Sequence, residues 1–316
     1  MAIPAPTITE LKGLQDTDGS WNYQASSNST AGNATLIANG GTGGGAGGTI
    51  QFAADSTGGT ARAKVFGNGN LDISGHNAPG VTIGSIEGKG FVFLGANNLT
   101  VGGNNLGTNF SGVIQDGGVN GGTGGSLTKT GTGKLNFTGA NTYTGGTTIV
   151  AGRLSVSNTS GSGTGSGAVV VNAGVLTGRG IIAGTVTVGT GTTPGAFLLP
   201  GKGESKPGTL TINSALTFNS LSTYKCVLNR STPIAGEVTA LGVTINSNAS
   251  FTFLDTGTGT LTTGTVFNVV NNTSTSPITG TFSNLADGAV FASNGNNFQA
   301  SYEGGTGNDL TLTVVP

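Results

Sequence analysis

Residues 304–312 read GGTGNDLTL, a stretch whose residue types and spacing suggest a metal site. The segment follows the nonapeptide pattern G-G-x-G-x-D-x-U-x, in which turns between stacked strands hold Ca²⁺. Such nonapeptides act in tandem, and Ca²⁺ needs about six to eight oxygen ligands. Here the pattern occurs once, and Thr311 stands where an apolar residue is expected. We therefore predict no metal site. Asp309 is kept as the single calcium candidate, and its expected role is to accept hydrogen bonds from backbone amides of its turn.

Candidate catalytic groups are sparse. His76 is the only histidine, it lies in the turn-like segment SGHNAPG, and no G-x-S-x-G motif accompanies it as a Ser-His-Asp site would require. Glycoside hydrolysis needs two carboxylates about 5–10 Å apart. The closest acidic pair in sequence, Asp16 and Asp18, lies in an irregular segment, while Asp287 and Glu303 could approach only by stacking. We predict no catalytic residues, and hence a protein that is not an enzyme.

Cofactor sites are not expected either. No Gly-rich segment has the phosphate-binding pattern GxxxxGK[ST], and one histidine and one cysteine are too few for a zinc site. The lone Cys226 cannot form a disulfide within the chain. Because it alternates with Tyr224 and Leu228, we predict a buried structural thiol.

Charge excludes one class of partner. The 316 residues include 12 Lys and Arg and 13 Asp and Glu, scattered singly, for a net charge of −1. Nucleic-acid binding needs a basic cluster, so no nucleic-acid partner is expected. A weakly charged surface favours self-association. The sequence contains no run of 18 apolar residues, so no transmembrane helix is predicted. The first residues, MAIPAPTITEL, have no features of an export signal.

The elements that would position these residues are short β-strands. Apolar residues alternate with polar ones in three-residue runs, bounded by Gly, Asn and Asp, which is typical of strands and turns. No segment shows an apolar stripe of helical period. The runs include LNF at 135–137, LSV at 154–156, VTV at 186–188, LTF at 216–218 and FTF at 251–253. The sequence therefore predicts an all-β fold without notable helices, although 61 Gly residues make disorder the competing interpretation.

The spacing of the runs favours a solenoid. Leu135 and Leu154 begin similar runs 19 residues apart, which fits coils of about 20 residues. A sandwich or barrel is the alternative, but its tight Asn-Gly or Asp-Gly hairpins are missing from the links. We predict two parts. Residues 1–60, which hold Trp21, form an irregular segment, a cap or the first coils. Residues 61–316 form a β-solenoid, and its clearest repeat is centred on residues 127–156.

Residues 127–154 carry a resemblance to a known family. They include NTY at 141–143 and GGTT at 145–148, and the whole segment resembles the autotransporter-associated β-strand repeat of bacterial passenger regions. Residues 84–114, 200–212 and 302–315 are similar to neighbouring parts of such passengers. The resemblance implies a right-handed parallel β-helix that is exported to the bacterial cell surface or beyond. The family has no catalytic or cofactor residues in this repeat.

Together these observations predict a non-enzymatic, elongated scaffold or adhesin-like passenger, extracellular or on the outer surface of a bacterial cell. Expected partners are further copies of the chain, in a homo-oligomer or head-to-tail filament, and a surface glycan or a host or neighbouring cell. The filament rests on the lack of any helix that could cap the ends, because an uncapped coil exposes unpaired strand edges. The rival hypothesis is a β-helix that binds or cleaves carbohydrate.

Overall fold

The computed structural model describes the backbone of Leu14–Gln15 and Trp21–Ala25, and residues 28–316 in full. It divides into two compact units, residues 1–154 with 158–167, and residues 155–157 with 168–316. Asp16, Asp18 and much of the segment expected to be irregular over residues 1–60 lie outside the described residues. The expected boundary at residue 60 stays a prediction.

The described residues contain thirty-two strands and no helix. The first sixteen are β1 Leu14–Gln15, β2 Trp21–Ala25, β3 Thr35–Ala38, β4 Thr49–Phe52, β5 Arg62–Val65, β6 Asn70–Asp72, β7 Gly80–Ile83, β8 Ser85–Gly88, β9 Phe91–Phe93, β10 Asn98–Val101, β11 Thr108–Phe110, β12 Val113–Gln115, β13 Ser126–Lys129, β14 Lys134–Phe137, β15 Thr147–Ile149 and β16 Arg153–Val156. The others are β17 Val169–Val171, β18 Gly174–Gly178, β19 Ile181–Ile182, β20 Val186–Val188, β21 Ala196–Pro200, β22 Thr209–Ile212, β23 Leu216–Phe218, β24 Thr223–Asn229, β25 Ile234–Ala235, β26 Glu237–Ala240, β27 Val243–Ile245, β28 Ser250–Thr256, β29 Val266–Asn272, β30 Val290–Ser293, β31 Asn296–Gly304 and β32 Asp309–Val315.

The first unit is a stack of parallel coils. One sheet runs β2-β4-β6-β9-β12, with β1 antiparallel at its edge. A second runs β7-β10-β13-β15, and a third runs β3-β5-β8-β11-β14. Consecutive strands along the chain belong to different sheets, so that β7, β8 and β9 form one coil and β10, β11 and β12 form the next. Parallel pairing of this kind requires a long connection between partners, and here the rest of the coil supplies it.

The interior is built from columns of apolar side chains in register. Alternation along each strand turns every second side chain inward, and parallel stacking places equivalent residues above one another. In the first sheet the column consists of Ile50, Leu71, Val92 and Ile114, each at most 1% exposed.

Outward-facing residues also stack. Asn109 and Asn136 pair in register, and the side-chain amide of Asn136 donates to the amide oxygen of Asn109 at 3.0 Å. Asn246 donates to Asn219 in the second unit at 2.9 Å. Such asparagine ladders add hydrogen bonds along the stacking direction without interrupting the apolar columns.

The second unit repeats this arrangement. Its parallel sheets run β17-β20-β23-β27, β18-β21-β24-β28 and β19-β22-β26-β29, and β25 lies antiparallel beside β24. Beyond β29 the direction changes, because β32, β31 and β30 add in turn as antiparallel strands. We call residues 273–316 the C-terminal cap.

The cap covers the strand edges of the last coil in the second unit. The amide group of Asn284 accepts from the backbone N–H of Phe251 and donates to its C=O, both at 2.8 Å. Thr279 donates to the carbonyl of Val243 and accepts from the N–H of Ile245. With β32 on β29, each of the three strands of the last coil has at least one hydrogen-bonding partner in the cap.

Aromatic rings close the apolar end of this coil. Phe282 in the cap lies 5.2 Å from Phe218, 6.0 Å from Tyr224 and 5.8 Å from Phe251 between ring centroids. The hydroxyl of Tyr302 accepts from the N–H of Phe282 and donates to a carbonyl at 2.8 Å. The coil end is therefore dry and hydrogen-bonded, without a helix.

The all-β parallel β-helix predicted from the sequence is confirmed. The coils vary in length around the expected value of about 20 residues, since register partners such as Gly80 and Asn98 are 18 residues apart, whereas Asn98 and Ser126 are 28 apart. Gly-rich excursions at the corners account for the longer coils. The prediction of uncapped ends considers only a helix as a possible cap, whereas antiparallel strands cover the last coil of the second unit.

Candidate functional site

The segment of residues 127–156, which forms one coil and the first two strands of the next, contains a lysine in an inward position. In register, Ile83, Val101, Lys129 and Ile149 form one column, so Lys129 takes a place where its neighbours are aliphatic. The residue is 1% exposed. A long alkyl stem can fill an apolar column while its charged end reaches polar atoms at the corner.

The ammonium group of Lys129 is held by backbone carbonyls. It donates to the carbonyl oxygen of Thr130, to that of Gly131 at 3.1 Å and to that of Ala151 in the following coil at 3.4 Å. A Cβ atom at Gly152, where φ is +69°, would collide with the backbone carbonyl oxygens of Gly131 and Gly133, so the space fits glycine alone. Burial lowers the pKa of Lys129 to about 8. The lysine therefore acts as a hydrogen-bonding tie between two corners.

Asn141 performs a similar task where this coil has no third strand. Its backbone N–H donates to Ser162 at 2.7 Å, and its side chain is 3% exposed. The side-chain oxygen accepts from the N–H of Ile114 at 2.8 Å, and the side-chain nitrogen donates to the carbonyl of Gly163 at 2.6 Å. One asparagine thus replaces the ladder bonds of a strand between the coil before and the segment after.

Tyr143 and Asp116 complete the hydrogen bonding of this coil. The fully buried hydroxyl of Tyr143 lies 2.5 Å from the hydroxyl of Thr147, and burial raises its pKa. Asp116 accepts from the hydroxyl of Thr144 at 2.6 Å and from the N–H of Gly125 at 3.0 Å. The carboxylate therefore fixes the Gly-rich loop that precedes the coil.

The calcium candidate Asp309 is 2% exposed and accepts three hydrogen bonds. Its donors are the backbone N–H of Asn272 at 2.8 Å, the N–H of Thr306 at 3.3 Å and the side-chain amide of Asn268 at 3.3 Å. This is the backbone-bonding role expected from the sequence. In the described part of the chain, no group of three or more His, Cys, Asp or Glu residues could hold a metal ion.

His76 and Cys226 take structural positions. The ring nitrogens of His76 lie 2.6 Å from the carbonyl oxygens of Asn77 and Ser56, so both are engaged with backbone. Cys226 is fully buried, and burial raises the pKa of its thiol to about 12. The predicted buried thiol is confirmed.

The other two candidate carboxylates differ in their surroundings. Asp287 accepts from the N–H of Tyr302 at 2.9 Å. The N–H of Glu303 donates to the hydroxyl of Ser301 at 3.2 Å, and that glutamate side chain is exposed.

Sequence reasoning missed Lys129, Asn141 and Asp116 as site residues. For Lys129 a signal was present, because alternation with Leu127 places it on the inward face of its strand. For Asn141 no local signal exists, since its two side-chain partners lie 27 and 22 residues away. Asp116 precedes the Gly-rich loop that it binds, but its other partner, Thr144, lies 28 residues away.

Comparison with known protein families finds a match within the chain. Residues 127–156 match the family described as the passenger-associated-transport-repeat. A search of curated proteins found no match to the chain. The resemblance found in the sequence is therefore confirmed: the chain is a parallel β-helix that carries an autotransporter passenger repeat. None of the described residues forms a helix long and apolar enough to cross a membrane.

Proposed function

We propose that the protein is a non-enzymatic, exported passenger that serves as a structural scaffold on the bacterial cell surface or in the extracellular space. The observation that carries the proposal is the repeat at residues 127–156, whose buried Lys129 and Asn141 bond backbone atoms of adjacent coils. Groups committed in this way stabilise a stack and are not free to act on a substrate.

Export is tested in the bacterium that carries the gene. Whole cells are treated with external protease and probed with antibody against this chain, and a periplasmic enzyme serves as the control for intact cells. We expect loss of the passenger signal with the control protected. A passenger that stays protected until the cells are lysed would contradict the surface location.

Absence of catalysis is tested separately. Purified protein is incubated with a panel of neutral and acidic polysaccharides, and new reducing ends are measured against heat-denatured protein. We expect no release above that control. Release that depends on one of the carboxylates Asp72, Asp116 or Asp255 would replace the scaffold proposal by a polysaccharide-cleaving one.

Self-association is also part of this proposal, but through a different surface from the one expected from the sequence. The cap pairs most of the strand edge at the C-terminal end of the second unit, on which the head-to-tail filament rested. We therefore propose a homo-oligomer that forms through the flanks, favoured by low charge. Sedimentation over a wide concentration range tests this; monomers throughout would overturn it.

Contact with a glycan is the second candidate, favoured by an aromatic pair on the outer face of β9. The rings of Phe91 and Phe93 are partly exposed, with centroids 6.2 Å apart and planes 25° apart. Gln115 is the register partner of Phe93 in the neighbouring strand β12, and on the other side the partners of Phe91 and Phe93 in β6 are Asn70 and the buried Asp72. Aromatic rings beside uncharged amides suit neutral sugars. A glycan array with wild type and the variant Phe93→Ala tests it; equal binding by both would exclude this face.

A further inference from the structure

We propose that a pocket beside β28 in the second unit binds an extended peptide that carries one bulky apolar side chain. The pocket has a volume of about 270 Å³ and lies between β28 and the C-terminal cap. Its lining consists of Phe251, Phe253, Asn284, Leu285, Ala289, Val290 and Phe291. This binding site is independent of the repeat at residues 127–156.

The outer edge of β28 has one unpaired residue at the pocket. The backbone N–H of Ser250 donates to the carbonyl of Ser222, and the carbonyl of Thr256 accepts from the N–H of Arg230. The even-numbered residues of β28 therefore direct their backbone groups towards β24. Odd-numbered residues direct N–H and C=O outward. Phe253 has no partner for either group among the described residues.

The outward groups are occupied at Phe251 and at the carbonyl of Asp255, so that the opening is centred on Phe253. Asn284 binds both backbone groups of Phe251, and the side chain of Asn294 lies 3.5 Å from the carbonyl of Asp255. Backbone groups that lack partners at a strand edge are the usual place where another strand adds.

Contacts on both sides hold the pocket open. The ring of Phe253 lies 5.2 Å from that of Phe291 and 5.0 Å from that of Phe298. Asp255 accepts from Ser293 at 2.9 Å and pairs with Arg230 at 2.6 Å. The cap therefore cannot collapse onto Phe253 without breaking these contacts.

The chemistry of the lining selects the occupant. No charged residue lines the pocket, and its wall is aromatic and aliphatic, which suits an uncharged bulky side chain. The unpaired N–H and C=O of Phe253 require one acceptor and one donor at the spacing that a peptide backbone offers. β30 is the last strand of its sheet, so its outer edge is available as well. A peptide in extended conformation satisfies both requirements at once.

The proposal is tested with short fluorescein-labelled peptides of alternating polar residues around one central Phe. Fluorescence anisotropy with the full chain measures binding. Replacing the central Phe by Ala should weaken binding at least about tenfold, because an aromatic side chain would no longer be buried. Methylation of the central backbone nitrogen should weaken it by a similar factor, since that nitrogen donates to the carbonyl of Phe253. Equal binding by the N-methylated peptide would overturn the strand-addition geometry.

Two matched variants locate the site. Val290 lines the pocket and Val266 does not, and both are 57% exposed. Val290→Lys should abolish binding of the Phe peptide, whereas Val266→Lys should bind like wild type, with unchanged thermal unfolding of both. The proposal is overturned if both variants lose binding of the Phe peptide. It is also overturned if the wild-type protein binds neither the Phe peptide nor the Ala peptide. A competing outcome is that the chain associates with itself as its concentration rises. If Val290→Lys abolished that association and the peptide did not compete with it, the pocket would be assigned to a second copy of the chain.

Discussion

The ammonium nitrogen of Lys129 lies 3.4 Å from the carbonyl oxygen of Ala151, so one buried side chain joins the corners of two successive coils. The same nitrogen also serves Thr130 and Gly131 in its own coil. Lysine in an apolar column is unusual, because burial of a charge is costly unless polar atoms surround it. Here the Gly-rich corners bring carbonyls close enough to do so.

Replacing Lys129 by Ala should lower the free energy of unfolding by about 2–4 kcal/mol, since it leaves a cavity in the column and removes the partner of three carbonyls. Lys134, which is exposed on the neighbouring strand, is the matched control, and its Ala variant should stay within about 0.5 kcal/mol of wild type. Urea unfolding at neutral pH measures both. Equal stability of the two variants would show that the tie carries no energy.

The pKa of Lys129 predicts a pH dependence. In the folded protein the pKa is about 8, below the value of 10.5 for a free lysine side chain. Between these values the unfolded chain binds more protons, so the free energy of unfolding rises with pH. Below pH 8 this contribution is absent. Cys226 acts with the opposite sign above its unfolded pKa of 9.0, because burial raises its folded pKa to about 12.

The contribution of Lys129 is isolated by comparison with Lys129→Met, which keeps the stem and lacks the titrating group. The free energy of unfolding of wild type minus that of the variant should be constant at neutral pH and increase from pH 8 towards pH 9.5. Urea unfolding at each pH gives the two curves. Parallel curves over this range would mean that Lys129 titrates normally.

Asn141→Ala should destabilise the first unit by about 2–4 kcal/mol, because the N–H of Ile114 and the carbonyl of Gly163 both lose a buried partner. Asn109→Ala, which removes an exposed ladder residue, should cost less than about 1 kcal/mol. Hydrogen exchange provides a second readout, with faster exchange expected at the Ile114 amide only in the first variant. Unchanged protection there would contradict the bridging role.

Asn284→Ala should expose the edge of β28. The amide of Phe251 loses its acceptor, so its hydrogen-exchange protection should fall at least about tenfold while amides facing β24 stay protected. Asn294→Ala is the control at the other end of the opening, where the contact is longer. Equal loss of protection along all of β28 would indicate that the cap detaches as a whole.

Asp309→Ala should destabilise the second unit by about 2–4 kcal/mol, because the amides of Asn272 and Thr306 lose their acceptor. Added calcium or a chelator should leave the Tm of the wild-type protein unchanged, since the carboxylate is already engaged with protein donors. A rise of Tm with millimolar calcium that disappears in the variant would instead establish a metal site at this turn.

Local pattern was enough to predict much of this protein. Alternation in runs such as LNF and LTF indicated strands with one buried face, and residues 127–154 carried the family resemblance that the comparison confirmed. Alternation also placed Cys226 in the interior, where the structure has it.

Only the tertiary structure decided which residues hold the coils together. Asn141 meets Ile114 and Gly163, and Asn284 meets Phe251, across 22 to 33 residues of chain. The lengths of the corner loops determine which residues come into contact. These lengths vary from coil to coil, and a period taken from a single spacing in the sequence does not include that variation. The cap likewise depends on tertiary structure, because its strands reverse direction after β29. This reversal buries Phe282 and Phe298 over the last coil. Alternation reports which face of a strand is apolar, whereas the partner of that face is determined by long-range packing.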